Sequence, residues 1–146
     1  MWAARSDRRH RFAAPPEEVW AAFIRIDAYR RWWPWLADFD GSAFAEGERW
    51  ACVVRPPLPY VLRFDIVLEE VEAPRFVTAT VAGDITGHAA LDVYAVDGGS
   101  ELRLVSTLWP ANAVLRAAAR VAAPIISLGH DWVLDTGLRQ FRERAW

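Results

Sequence analysis

The chain has 146 residues, 53% of them hydrophobic and 25% charged, with a formal net charge of −2. That size suits a single domain over residues 1–146, and the balance is that of a folded globular chain, which excludes disorder. No apolar run reaches the roughly 18 residues of a membrane span, so stable membrane insertion is not expected, and the slight acidity gives no support to a nucleic-acid partner.

Met1 to Arg11 is charged and lacks the apolar core of a signal peptide. The single cysteine, Cys52, can form no internal disulfide, which fits a cytoplasmic protein. Nine tryptophans are a marked excess. Large aromatic side chains suit both packed cores and the walls of ligand pockets.

Asp7 to Phe12 reads as a first strand with Phe12, His10 and Arg8 on one side. The arginines here (Arg5, Arg8, Arg9 and Arg11) have Asp7, Glu17 and Glu18 close by in sequence and read as a solvated face. Pro15, Pro16, Glu17 and Glu18 mark a helix start, because proline is tolerated in the first turn and carboxylates complement the helix dipole there. Val19, Trp20, Phe23 and Ile24 keep helical spacing as far as Ile26. Asp27 can cap a second short helix, Ala28 to Trp33, which Pro34 closes. Around it lies an aromatic knot of Tyr29, Trp32, Trp33 and Trp35. Adjacent residues cannot all face inward, so at least one tryptophan should be exposed or at a mouth, with Trp33 or Trp35 near any cavity.

From Phe39 to Trp109 the period changes to two. Six strands are expected: Ala37–Phe44, Arg49–Arg55, Tyr60–Leu68, Arg75–Ala82, Ile85–Val96 and Ser100–Trp109. Their joins are short (Glu46-Gly47-Glu48, Pro56-Pro57-Leu58-Pro59, Gly83-Asp84, Asp97-Gly98-Gly99), which implies antiparallel neighbours. Tyr60, Leu62, Phe64, Ile66 and Leu68 share one face, with Arg63 and Asp65 opposite as surface cross-strand pairs. Leu91, Val93, Leu102, Leu104 and Leu108 form an inward set, with Gly87 and Ala89 at one end. Strict alternation places Thr86, His88 and Asp92 on the solvent side, and a bulge near Gly87 would reverse that.

Asn112 to Trp146 reads as one long amphipathic helix. Ile126, Val133, Gly137 and Phe141 fall on one face, and Ser127, Asp131, Asp135 and Arg142 on the other. Pro124 lies on the polar side and implies a bend or a short break. His130 projects with Ile126 and Val133, into whatever the helix covers. Asp131 points some 100° away from it.

The whole is α+β: a curved antiparallel seven-stranded sheet around a long C-terminal helix, with two short helices after the first strand. Small residues at Gly87, Ala89, Gly129 and Gly137 leave room for an internal pocket, or equally mark close packing. Phe12 to Trp20 (FAAPPEEVW), Tyr29 to Leu36 (YRRWWPWL), and Gly129-His130 in the last helix resemble the START/Bet v1-like superfamily of helix-grip proteins. The nearest resemblance is to its bacterial polyketide cyclase/dehydratase-like and lipid-transport-like branch. The resemblance implies an apolar cavity between sheet and last helix that takes lipids, sterols, polyketides, quinones or hormones. It implies no universal catalytic signature.

The residues expected to line such a cavity are Trp33, Trp35 and Trp50, then Leu62, Phe64, Ala89, Leu91 and Leu104 from the strands. From the helix come Ile126, His130 and Val133. His130 is the one catalytic candidate, able to bond a ligand oxygen or shuttle a proton, and its alternative is a satisfied core histidine. Metal-ligand spacing, a nucleophile elbow and a phosphate-cradling loop are all missing, so neither metal nor cofactor is expected. Three functions follow. The first is a carrier or sensor of a hydrophobic small molecule. The second is a cyclase or dehydratase using His130 as general acid/base, which calls for two or more polar groups around one ligand position. The third is a protein-interaction module, which calls for a filled core.

Overall fold

Alternation of apolar and polar residues resolves into strands, and the covering helix follows from the need to bury the apolar face they create. The computed structural model describes residues 3–146, and the side chains of residues 118, 119 and 121–126 fall outside that description. Strand β1 (Ala4–Phe12) leads into α1 (Pro16–Phe23), a 3-10 turn (Ile26–Ala28) and α2 (Tyr29–Trp32). Strands β2 (Leu36–Asp40), β3 (Arg49–Val54), β4 (Leu62–Glu72), β5 (Phe76–Gly83), β6 (Ile85–Val96) and β7 (Gly99–Pro110) follow, then α3 (Ala113–Arg144). The strands form one antiparallel seven-stranded sheet in the order β1-β7-β6-β5-β4-β3-β2.

Local differences from the sequence reading have local causes. The second helix splits, because Asp27 sits inside the 3-10 turn and caps nothing; the first residues of α2 have no side-chain cap. Tyr60 stays outside β4 in the proline-rich connection, while β4 runs on to Glu72 past a register shift between Leu68 and Glu70. Asp65 pairs across strands with Arg49 at 2.9 Å. Helix α3 continues through Pro124 to Arg144, so proline neither ends nor splits it. Its start is set by Asn112, whose side-chain oxygen accepts from the Leu115 N–H at 2.6 Å.

The sheet curls around α3, and Gly87 shows one means. At φ +152°, a Cβ there would lie 2.0 Å from the Thr107 carbonyl oxygen, so only glycine allows β6 this close to β7. The β6–β7 register runs unshifted through Gly87, which leaves His88 exposed on the outer face.

The packed core lies toward the C-terminal end of α3. Phe141 is 1% exposed, and its ring meets Phe12, Phe23 and Trp32 edge-on at centroid distances of 5.7, 5.5 and 5.5 Å. Val93 and Leu102 close the sheet side, both fully enclosed. Each such side chain contributes about 1.5–3 kcal/mol by leaving water.

Candidate functional site

Packing does not stay dense along the whole length of α3. A cavity of about 310 Å³ lies between its middle and the concave face of the sheet. That is the lower end of the roughly 300–1,000 Å³ common for small-molecule sites. Trp33, Trp35, Trp50, Leu62, Phe64, Ala89, Leu104, His130 and Val133 all line it. Leu91 does not. It is 4% exposed and belongs to the closed core, because its end of the sheet is already filled by Phe141 and its neighbours. The side chain of Ile126 lies outside the described residues.

Five polar side chains of the wall are bonded within the protein. Trp33 Nε1 donates to the Gly137 carbonyl at 2.9 Å, and Trp35 Nε1 donates to Gln140 Oε1 at 2.9 Å. Trp50 Nε1 donates to the Ala43 carbonyl at 2.9 Å. Tyr29 donates its hydroxyl proton to the Phe23 carbonyl at 2.6 Å, and Ser106 shares a 2.6 Å hydrogen bond with Ser6. Among the described residues, the lining contains no Asp, Glu, Lys or Arg. The wall is mainly carbon, with the Tyr60 hydroxyl and His130 among its polar groups.

The two tryptophans are wall and clamp at once. Their rings stack at 5.6 Å between centroids, and both indole N–H groups tie α2 and its exit to α3. Trp32, by contrast, is buried in the core at 4% exposure.

His130 is the exception in the wall. Its Nδ1 lies 3.5 Å from Asp131 Oδ1, and its Nε2 is buried with no hydrogen-bond partner. The expected divergence of Asp131 is corrected by tertiary contact. Arg8 of β1 donates from Nη2 to Asp131 Oδ1 at 2.9 Å and from Nε to Asp135 Oδ1 at 2.8 Å. One guanidinium thus gathers both carboxylates of a helical i, i+4 pair and holds Asp131 beside the imidazole. Arg8 is therefore no member of a solvated face. It is half-buried between β1 and α3.

Burial holds the His130 pKa below the ordinary histidine value, against the opposing pull of Asp131. The ring is thus neutral near pH 7. With a carboxylate facing Nδ1, the single proton is assigned there and Nε2 carries a free lone pair. The Cys52 thiol, also in the wall, is pushed up to about 12, chiefly by burial, so it is no nucleophile at neutral pH.

Tyr60 was readable only as the head of the alternating β4 run. Its hydroxyl lies where a Cβ on Gly129 would stand, only 1.8 Å from that position, so the proline-rich connection sits directly on α3 beside His130. Ser106 and Cys52 were also overlooked as wall residues, although each continues an inward alternation (Leu102, Leu104, Ser106; Trp50, Cys52, Val54).

The profile of the family described as "Polyketide cyclase / dehydrase and lipid transport" matches residues 3–145. A comparison with curated proteins finds no match. Among solved structures, the Zhui aromatase/cyclase from Streptomyces sp. R1128 is similar at TM-score 0.73 and 11% identity, over 99% of this chain and 97% of that one. The di-domain ARO/CYC BexL from the BE-7585A biosynthetic pathway is similar at TM-score 0.75 and 13% identity, over 98% of this chain and 50% of its own. Ara h 8.0201 is similar at TM-score 0.69 and 8% identity, over 99% and 98%. Likeness at such low identity establishes the helix-grip fold, and the profile match over nearly the full length establishes more: this chain belongs to the polyketide cyclase / dehydrase and lipid transport family of the START/Bet v1-like superfamily.

Proposed function

We propose that the protein binds one hydrophobic small molecule, such as a lipid, polyketide or quinone, between the sheet and α3, as a carrier or sensor. The observation that carries this reading is a cavity of about 310 Å³ whose described wall is aromatic and aliphatic with no charged residue, and at which His130 Nε2 is a buried acceptor without a partner. Such a wall supplies affinity by area burial, at roughly 25 cal/mol per Å². One buried acceptor, with the Tyr60 hydroxyl in the same wall, is enough to orient a ligand. The wall residues named above are the proposed ligand contacts. The single free cysteine supports action in the cytoplasm.

A cyclase or dehydratase activity is the second reading, and the Asp131 carboxylate beside His130 Nδ1 is what favours it. A neutral imidazole oriented by a carboxylate can take a proton at Nε2. The interaction-module reading called for a filled core, and the cavity stands where that filling would be.

Native mass spectrometry of protein purified from its own host, followed by denaturation and identification of what is released, tests the proposal. A stoichiometric apolar compound is the expected result. Protein that carries nothing, and takes up no apolar probe in solution, would overturn it.

A further inference from the structure

The binding reading leaves open what kind of molecule the cavity takes, and its wall narrows the choice. A charged headgroup has no place in it. With no Asp, Glu, Lys or Arg among the described lining residues, a carboxylate or ammonium would be buried without a counter-ion. A wholly apolar molecule would leave His130 Nε2 as it stands, a buried acceptor without a donor. Nδ1 faces Asp131, which lies on the outer side of α3, so Nε2 looks away from that side, and the residue borders the cavity. Nε2 is itself closed over, so a donor from the cavity side reaches it by displacing the atoms that cover it.

The geometry points to a ligand that is uncharged, largely apolar, and carries one hydroxyl group (a phenol or an alcohol) that donates its hydrogen bond to His130 Nε2. Asp131 and Arg8 are positioning residues in this scheme. Asp131 keeps the ring proton on Nδ1, so that Nε2 accepts rather than donates, and Arg8 holds Asp131 in place from β1. The surrounding indoles and strand side chains take the hydrocarbon part. The direction of the bond is the specific content: the ligand hydroxyl donates and His130 Nε2 accepts. This inference rests on the binding proposal and goes beyond it by naming the polar group that is read.

The test compares 2-naphthol, its methyl ether, naphthalene and 2-naphthoate by tryptophan quenching or calorimetry near neutral pH. All four share one bicyclic skeleton. On wild-type protein, 2-naphthol is expected to bind about three- to tenfold more tightly than naphthalene, the worth of one net hydrogen bond. The methyl ether, which can only accept, and the ionised naphthoate should bind no better than naphthalene. In His130→Phe the ratio of naphthol to naphthalene affinity should fall to near one. A naphthol advantage that persists in His130→Phe would overturn the inference, as would a methyl ether that binds as tightly as naphthol, and in both cases the binding proposal would stand. Failure of all four probes to bind would remove both. If His130→Phe does not fold, the naphthol and methyl ether comparison on wild type still decides.

Discussion

The Tyr60 hydroxyl stands 1.8 Å from the position a Cβ on Gly129 would occupy, with Leu58 Cδ1 at 2.9 Å from the same point. Here the connection before β4 rests on bare helix backbone, beside the residue that marks the cavity. Glycine costs a helix interior about 1 kcal/mol relative to alanine. In a Tyr60→Ala background, Gly129→Ala should therefore stabilise the protein by about that amount. With Tyr60 present the gain should vanish, because the phenol must swing away. A double-mutant cycle by urea denaturation should give a coupling near 1 kcal/mol, and additive effects would show that the contact does not hold the connection down.

His130, Asp131 and Arg8 make opposed predictions for one titration. The Asp131 carboxylate raises the His130 pKa and the Arg8 guanidinium lowers it. Asp131→Asn should move it further down, and Arg8→Met should move it up, as followed by NMR of the imidazole resonances. Shifts in the same direction in both variants would refute the arrangement. Stability should fall by no more than about 1 kcal/mol in Arg8→Met, since both carboxylates are at least half exposed.

Stability should depend on pH through His130. Its folded pKa is depressed, mainly by burial, below the 6.5 of a free histidine. Between those two values the unfolded chain binds more protons than the native one, so native stability rises with pH across the window. The stabilisation is complete above about 6.5 and is lost as pH falls toward the folded value. The groups facing the ring are Asp131 and Asp135 on α3 and Arg8 on β1. Relative to His130→Phe, wild type should lose stability on acidification from neutrality. Parallel stability curves would mean that the imidazole does not titrate as described.

Core and wall should respond differently to truncation and charge. Phe141→Ala removes a ring enclosed by Phe12, Phe23 and Trp32 and should cost about 3–5 kcal/mol. Val133→Asp places a carboxylate in the apolar wall and should cost about 2–4 kcal/mol. Chemical denaturation measures both. A Val133→Asp variant as stable as wild type would mean that the wall at this point is open to water.

Much of this molecule is written in short-range pattern. Period-two runs gave β3, β5, β6 and β7 nearly to the residue, while β4 starts and ends later than its alternation implied, and the 3.6-residue period of α3 put Val133, Gly137 and Phe141 under the sheet. Proline and acidic residues marked the start of α1, and Asn112 the start of α3. These are local rules, and a single chain read in order obeys them. The order of elements, with one apolar sheet face and one helix able to cover it, then determined the helix-grip fold.

What only the tertiary structure decided is where packing stops. Leu91 and Leu104 are cross-strand partners on one face, yet the first belongs to the closed core and the second borders the cavity. That distinction depends on which aromatic side chains arrive from α1, α2 and the C-terminal end of α3, a sum over distant segments. The same holds for His130. Its helix face was legible, but Asp131 is held beside it by Arg8, 123 residues earlier in the chain. A charge pair across that separation has no period and leaves no mark in local sequence, because it exists only once β1 lies against α3.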